Sequence, residues 1–208
     1  MDWHDVDSVV IGGGVIGVAV AWALALAGRA PLLLEKNARL GEETSARNSE
    51  VIHGGLYYAE GSLKGRLCVE GKRALYRFCA ARGVPHRNTG KLIVAAEPGE
   101  WAALERIDAS ARVNGVTDLV FLDRAETLRR EPALDVAGAL WSPSTGIVDS
   151  HAYLLALLGE AEAHGAETVR GAEVLGGAVA PGGGAALRVR SAEGGEIGLR
   201  ARLVVNAA

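Results

Sequence analysis

An uncharged run at residues 8–28 is the dominant hydrophobic feature of this chain. It opens with three β-branched residues, Val9-Val10-Ile11, which are typical of a strand buried on both faces. Small residues then recur at helical spacing, and a second apolar run ends at Glu35. The pattern predicts a strand at 6–11, a helix at 15–27 and a strand at 32–35.

Beyond residue 36 the periodicity changes several times, and glycine-rich turns separate the later segments. Apolar residues at helical spacing predict helices at 63–82, 100–113 and 150–164, and Asp123 is expected to cap a short helix before Pro132. Apolar runs predict strands at 91–95, 119–122, 138–141, 172–180, 185–190, 197–199 and 203–206. We expect the strands between 172 and 199 to form a β-meander, followed by a buried strand.

The glycines of the first turn form the motif G-x-G-x-x-G at Gly12, Gly14 and Gly17. The first allows a tight turn out of the strand, the second lets a pyrophosphate approach the backbone, and the third permits close packing of helix on sheet. The helix N-terminus directs N–H groups and a positive dipole end at such an anion. Glu35 ends the second strand, where a carboxylate can accept hydrogen bonds from ribose hydroxyls. This context predicts dinucleotide binding.

The same run has two other interpretations, a membrane span and a signal peptide. Its N-terminal flank carries Asp2, Asp5 and Asp7 but no lysine or arginine, which is the wrong charge for a signal peptide. Three consecutive glycines also disfavour the continuous helix that a span requires. Dinucleotide binding is therefore the favoured interpretation, and no transmembrane segment is predicted.

Composition narrows the class of protein further. The 208 residues are 49% hydrophobic and 23% charged, with a formal net charge of −3. This balance is typical of a soluble protein, and the scattered basic residues argue against a nucleic-acid partner. Cys68 and Cys79 lie on one predicted helix, roughly 16 Å apart along its axis, so they cannot form a disulfide with each other. The sequence predicts reduced thiols, a cytoplasmic location and no metal site.

We expect one nucleotide-binding domain that is interrupted by a second domain. Residues 1–83 and 148–208 are predicted to form the nucleotide domain, with an α/β fold, and residues 84–147 to form part of an α+β substrate domain. Residues 203–208, Leu-Val-Val-Asn-Ala-Ala, are typical of a buried strand and have no turn or polar tail after them. We therefore expect a longer protein whose C-terminal half is missing here.

Several stretches together resemble a family of flavoenzymes, and they lie at 47–58, 62–71, 90–95, 142–149 and 204–208. The chain resembles the N-terminal half of FAD-dependent oxidoreductases of the D-amino-acid-oxidase-like superfamily. Residues 48–58 make it most similar to the L-2-hydroxyglutarate dehydrogenase/oxidase group. The resemblance implies a Rossmann-like FAD-binding domain with a parallel sheet and a β-meander, interrupted by part of the substrate domain.

The resemblance also implies which residues contact FAD. It places the pyrophosphate at Gly12, Gly14 and Gly17, and the adenosine ribose at Glu35 with Lys36 beside it. The remaining implied cofactor contacts are Thr44, Ser45, Asn48, Ser49, Val174 and Ala207.

His53 is the catalytic residue that the resemblance implies. In the family a histidine at this point lies close to the isoalloxazine, and in some members it is bonded to it. Such a histidine could take the hydroxyl proton of a small 2-hydroxy acid while hydride passes to flavin N5. A positioning role without proton transfer stays open. Tyr57 is the implied substrate contact, with ordinary packing as its alternative.

The implied substrate is L-2-hydroxyglutarate or a similar 2-hydroxy acid. Oxidation of an amino acid or amine is the alternative reaction, and a non-catalytic nucleotide-binding fragment is the alternative for the 208 residues by themselves. Oxygen or a membrane quinone would accept the electrons, so a peripheral contact with a membrane stays open.

Overall fold

The computed structural model describes residues 1–208 and contains five α-helices and twelve strands. The helices are α1 (Val15–Leu26), α2 (Leu63–Arg82), α3 (Trp101–Val113), α4 (Arg124–Arg130) and α5 (Ser150–Ala163). The first six strands are β1 (Trp3–Ile11), β2 (Pro31–Glu35), β3 (Val51–Ile52), β4 (His86–Arg87), β5 (Lys91–Ala95) and β6 (Val120–Asp123). The last six are β7 (Gly138–Ser142), β8 (Gly146–Val148), β9 (Glu167–Arg170), β10 (Glu173–Val179), β11 (Ala185–Arg190) and β12 (Glu196–Asn206).

The chain divides into two compact units. The first unit combines Met1–Asn48 with Ser150–Ala208, and the second is the continuous segment Ser49–Asp149. This division assigns residues 49–83 to the second unit, whereas the sequence grouped them with the nucleotide domain. The physical reason is contact between distant segments, because β3 pairs with β8, and Leu56 and Val69 belong to the same hydrophobic core as Leu140.

A six-stranded sheet in the order β10-β11-β12-β1-β2-β9 forms the centre of the first unit. The strands from β12 to β9 are parallel, and β10, β11 and β12 are antiparallel. The predicted parallel sheet with a β-meander is thus confirmed. Val9 and Val10 of β1 are fully buried, as expected for the central strand of a sheet covered on both sides.

Helix α1 lies unusually close to the turn that precedes it. A Cβ added at Gly17 would overlap the carbonyl oxygen of Gly12, so glycine is required at this point of the helix. Ala21 and Ala25 continue the same buried face, and α1 packs against α5. The small-residue face that the sequence predicted is therefore the face that α1 buries.

The second unit consists of two small antiparallel sheets and helices. One sheet has the order β3-β8-β4 and the other has β7 between β5 and β6. Helix α2 begins at its predicted N-cap, where Ser62 Oγ accepts a hydrogen bond of 3.1 Å from the N–H of Gly65. It ends at Gly83, which has the left-handed φ of 66° that favours glycine after a helix.

Two features of the first unit differ from the sequence-based expectation. The strands predicted at 197–199 and 203–206 are a single strand, β12, because residues 200 and 201 stay paired with Asp5 and Val6 of β1. Strand β9 was missed altogether. Its residues, Glu-Thr-Val-Arg, are mostly exposed because β9 lies at the edge of the sheet, so they carry no apolar run.

Helix length and hydropathy also test the membrane-span interpretation of the first apolar run. No helix in the structure is both long enough and apolar enough to cross a membrane.

The close approach at Gly17 generates a stability prediction. We expect Gly17→Ala to lower the free energy of unfolding by about 1–3 kcal/mol, because the added methyl group displaces α1 from the Gly12 turn. Gly71→Ala is the matched control, since a Cβ at this exposed position of α2 meets no atom within 4 Å. We expect it to raise that free energy by about 0.5–1 kcal/mol. Urea unfolding followed by circular dichroism measures both, and equal effects of the two substitutions would contradict the prediction.

Candidate functional site

The glycine-rich turn between β1 and α1 lies between the ends of β2 and β12. The N–H of Gly12 donates to the Leu34 carbonyl at 2.8 Å, and the N–H of Ala207 donates to the Ile11 carbonyl at 2.8 Å. Gly12 has a φ of 102°, and a Cβ there would stand 2.8 Å from the carbonyl oxygen of Ala207. Only a residue without a side chain fits between these strand ends.

The carboxylate of Glu35 holds this turn from the side of β2. Its Oε2 accepts a 2.7 Å hydrogen bond from the N–H of Gly13, and its Oε1 accepts one of 2.8 Å from the N–H of Asn37. Glu35 is only 7% exposed, so these charge-assisted bonds compensate for much of its lost hydration. A carboxylate has about four acceptor positions, and two of them remain for other donors such as hydroxyl groups.

The N-terminus of α1 offers little competition to a bound anion. Gly14 is the N-cap residue and provides no side-chain hydrogen bond, and the first turn contains no acidic residue. Ser45, in a short 3-10 helix at Thr44–Ala46, accepts a 3.0 Å hydrogen bond at Oγ from the N–H of Val15. A hydroxyl group therefore stands beside the positive end of the helix dipole, where phosphate oxygens are favoured.

The other predicted cofactor residues after Glu35 differ in their surroundings. Asn48 donates from Nδ2 to the Ser45 carbonyl at 2.8 Å and to Ser150 Oγ at 3.3 Å, so it orients the segment that carries Ser45. Lys36 is exposed and forms a 3.4 Å ion pair with Glu43. Hydrogen bonds from Asn37 and Lys36 lower the pKa of the Glu43 carboxyl. Thr44 and Ser49 are exposed.

Val174 and Ala207 lie in different environments of the first unit. Val174 pairs with Val189 just before an irregularity in the β10–β11 register, and its side chain packs against the core. Ala207 stands at the end of β12 against the glycine-rich turn. The structure thus gathers Gly12, Gly14, Gly17, Glu35, Ser45 and Ala207 at one turn. Lys36 instead pairs with Glu43, and the Val174 side chain packs in the core of the sheet.

His53 belongs to the second unit and directly follows β3. Its side chain is exposed, and its backbone carbonyl accepts a 3.6 Å hydrogen bond from the thiol of Cys68. The following residue, Gly54, packs against a buried pair of hydroxyls, since its Cβ would stand 3.1 Å from Thr145 Oγ1 and 3.2 Å from Ser142 Oγ. A 2.9 Å hydrogen bond also joins Ser142 Oγ to Thr145 Oγ1, so the two hydroxyls that pack against Gly54 hold each other in place.

A small cleft brings His53 together with Tyr57, Tyr58 and Lys91. The Lys91 ammonium lies 4.6 Å from the centre of the Tyr57 ring, and the Lys64 ammonium lies 4.9 Å from the centre of the Tyr58 ring. These cation–π contacts hold the two ammonium groups on the tyrosine rings, and Lys91 lines the same cleft as His53. Burial is the main reason why the pKa of the Tyr58 hydroxyl is raised, so this group stays protonated at neutral pH.

Sequence reasoning missed four residues that position these groups. The N–H of Asn37 donates to the Glu35 carboxylate. Leu40 packs against Gly13, and the Gly13 carbonyl accepts a 3.0 Å hydrogen bond from the Gly41 N–H. Lys91 was treated only as part of a strand. The sequence signal for Lys91 was the preceding glycine, Gly90, which is typical of a turn before a strand. In the structure its φ of 69° confirms the turn.

Comparison with protein families identifies the class of this chain. The description "FAD dependent oxidoreductase" matches residues 7–208. Similar curated proteins include the mitochondrial L-2-hydroxyglutarate dehydrogenase of Arabidopsis thaliana, 44% identical over 153 residues, which are 74% of this chain and 32% of that protein. The Homo sapiens protein of the same name is 40% identical over 147 residues, 69% of this chain and 31% of its own length. The chain thus spans about a third of these relatives.

Solved structures share the fold over nearly the whole chain. L-alpha-glycerophosphate oxidase from Mycoplasma pneumoniae with FAD bound has a TM-score of 0.89 at 25% identity, covering 99% of this chain and 54% of that one. L-proline dehydrogenase from P. horikoshii has a TM-score of 0.83 at 23% identity, covering 99% and 53%. The family match, together with the glycine-rich turn and the Glu35 carboxylate, shows that this chain belongs to the FAD-dependent oxidoreductases.

Proposed function

We propose that the full-length protein binds FAD at the first unit and oxidises L-2-hydroxyglutarate or a similar 2-hydroxy acid. The bare backbone at Gly14, the N-terminus of α1 and the Ser45 hydroxyl suit the pyrophosphate. The two free acceptor positions of Glu35 suit the ribose hydroxyls. Thr44, Asn48, Ser49, Lys36 and the Val174 backbone stay proposed contacts.

The observation that carries the substrate proposal is the grouping of His53, Tyr57 and Lys91 around one small cleft of about 10 Å³, which has room for about one water molecule, so these residues mark the reacting end of a substrate without enclosing it. It combines an exposed imidazole with the ammonium of Lys91 above Tyr57, and Lys64 above Tyr58 adds a second cation. The ammonium groups would attract the carboxylates of a dicarboxylic substrate, and the His53 imidazole would accept a proton. The names of relatives at 40–44% identity support the same substrate.

The chemistry divides between cofactor and protein. FAD, when bound, would accept the hydride, which carries both electrons lost by the substrate. The imidazole of His53 would accept the proton of the substrate hydroxyl, while Lys91 and Lys64 would orient the carboxylates. Tyr57, which is 52% exposed, forms one wall of the cleft and holds Lys91 in place.

The electron acceptor and the location in the cell stay predictions. Oxygen and a membrane quinone are both compatible with the proposed reaction, and a quinone would bring peripheral contact with a membrane. The expected cytoplasmic location also stays a prediction. The two relatives named above are mitochondrial proteins, which is a different location.

Glu35 provides a test of the FAD site. Glutamine has one acceptor oxygen, so Glu35→Gln leaves the N–H of Gly13 or Asn37 without its partner and removes acceptors for the ribose. We expect the dissociation constant for FAD to rise about tenfold or more, measured by flavin fluorescence with the full-length protein. Glu162→Gln, at an exposed site on α5, is the control and should bind FAD normally. A normal affinity in Glu35→Gln would contradict the assignment.

Anaerobic reduction of the flavin tests the substrate without assuming an acceptor. We expect L-2-hydroxyglutarate to bleach the visible flavin absorption band, and D-2-hydroxyglutarate, glycine, L-proline and glycerol 3-phosphate to react far more slowly. Bleaching by an amino acid alone would replace the hydroxy-acid proposal with an amine oxidation. A flavin that no substrate reduces would favour a non-catalytic role.

His53→Asn tests the proton acceptor in the same assay. We expect the rate of flavin reduction to fall by about 10²–10⁴-fold, which is typical of a lost general base. A general base makes the rate depend on pH, so the variant should lose the part of the native pH profile that His53 contributes. His151→Asn, at an exposed position on α5, is the control. A slow variant that keeps the native pH profile would show that His53 only positions the substrate.

A further inference from the structure

The second unit contains a cavity of about 540 Å³ that shares no lining residue with the cleft at His53. This volume lies in the range of sites for small organic molecules. Its walls come from one face of α2, the segment that includes β4, the loop before β6 and the turn between β7 and β8. Neither the proposed reaction nor the FAD site uses these residues.

Positive charge dominates the lining of this cavity. Lys72, Arg73 and Arg87 face a single carboxylate, that of Asp118, which leaves a formal charge of +2 with His86 counted as neutral. Arg73 and Arg87 are exposed and form no ion pair with the protein. Two guanidinium groups therefore remain available to an anion at the mouth of the cavity.

Lys72 places a further cation deep in the wall. The residue is only 9% exposed, and its ammonium donates a hydrogen bond to the hydroxyl of Ser144. Burial lowers the pKa of this amine, and the charge of Asp118 opposes that effect. A buried ammonium with a neutral partner is costly, and a bound anion would compensate for that cost.

The walls around Lys72 are fixed by hydrogen bonds and close packing. Tyr76 donates from its hydroxyl to the Ser144 carbonyl at 3.2 Å, and a Cβ at Gly146 would overlap that same hydroxyl. The imidazole of His86 bonds at 2.7 Å to the Val84 carbonyl through Nδ1, which must carry the proton. A wall formed in advance reduces the entropy lost when a ligand binds.

We propose that this cavity binds a small organic anion that bears carboxylate or phosphate groups. The buried ammonium of Lys72 attracts one acidic group as a compact charge, and the forked guanidinium groups of Arg73 and Arg87 bind the other in bidentate fashion. The site is independent of the His53 cleft, so its ligand need not be the substrate.

Calorimetric titration of the full-length, FAD-loaded protein tests the proposal. The probes are succinate, glycerol 2-phosphate and, as the uncharged control, succinamide. We expect one equivalent of succinate or glycerol 2-phosphate to bind and succinamide not to bind, and comparison of the two anions identifies the preferred acidic group. Because the Lys72 ammonium is buried, its attraction for the anion should be screened less by physiological salt than that of the exposed charges.

Charge reversal at the mouth assigns the binding to this cavity. We expect the double variant Arg73→Glu/Arg87→Glu to bind at least about tenfold more weakly. Arg77→Glu, at an exposed position of α2 outside the cavity lining, is the matched control and should bind normally. Lys72→Met should weaken binding to a similar degree without loss of FAD or of helical content, since it replaces a buried charge by an apolar chain of similar length.

Three outcomes would overturn the proposal. They are the absence of binding by either anion, unchanged affinity in the double variant, and hydrogen exchange showing that another segment of the full-length protein covers Lys72. A binding event that survives charge reversal and competes with the substrate would belong to the His53 cleft.

Discussion

The close contact between α1 and the turn at Gly12 is the constraint on which the first unit depends. Gly17 brings the helix against the Gly12 carbonyl, and Gly12 in turn admits the end of β12 at Ala207. The end of β2 joins the same point through the hydrogen bond between Glu35 and the Gly13 N–H. Three strands and one helix are thus fixed around a backbone without side chains. The result is an anion-binding helix end with a carboxylate at its side.

The features that could be predicted from the sequence are those with a local cause. The glycine motif, the Ser62 cap and the Gly83 end of α2 each follow from the conformational needs of a few neighbouring residues. Strand β9 is an exposed edge strand without an apolar run, and β3, β4 and β8 have only two or three residues each, so no hydrophobic pattern marked them. The division of the structure near residue 49 depends on the pairing of β3 with β8, which lie far apart in the chain.

The candidate sites show the same division between local and distant causes. Gly12, Gly14, Gly17 and Glu35 belong to one compact motif, and the structure gathers them as predicted. The positions of Lys91 above Tyr57 and of Lys72 beneath Ser144 depend on segments separated by tens of residues. The sequence shows that these lysines exist, but only tertiary packing shows that one stacks on a ring and the other is buried.

The register of β1 has a consequence for how the chain acquires its structure. Trp3 pairs with Gly198, and Ile11 pairs with Asn206, so the central strand of the six-stranded sheet has one neighbour close in sequence and one at the far end. Closing such a distant pair costs considerable chain entropy and slows folding. The continuous segment 49–149 carries all of its own strand partners. During synthesis on the ribosome it can reach its folded state first, while β1 waits for a partner that emerges nearly two hundred residues later.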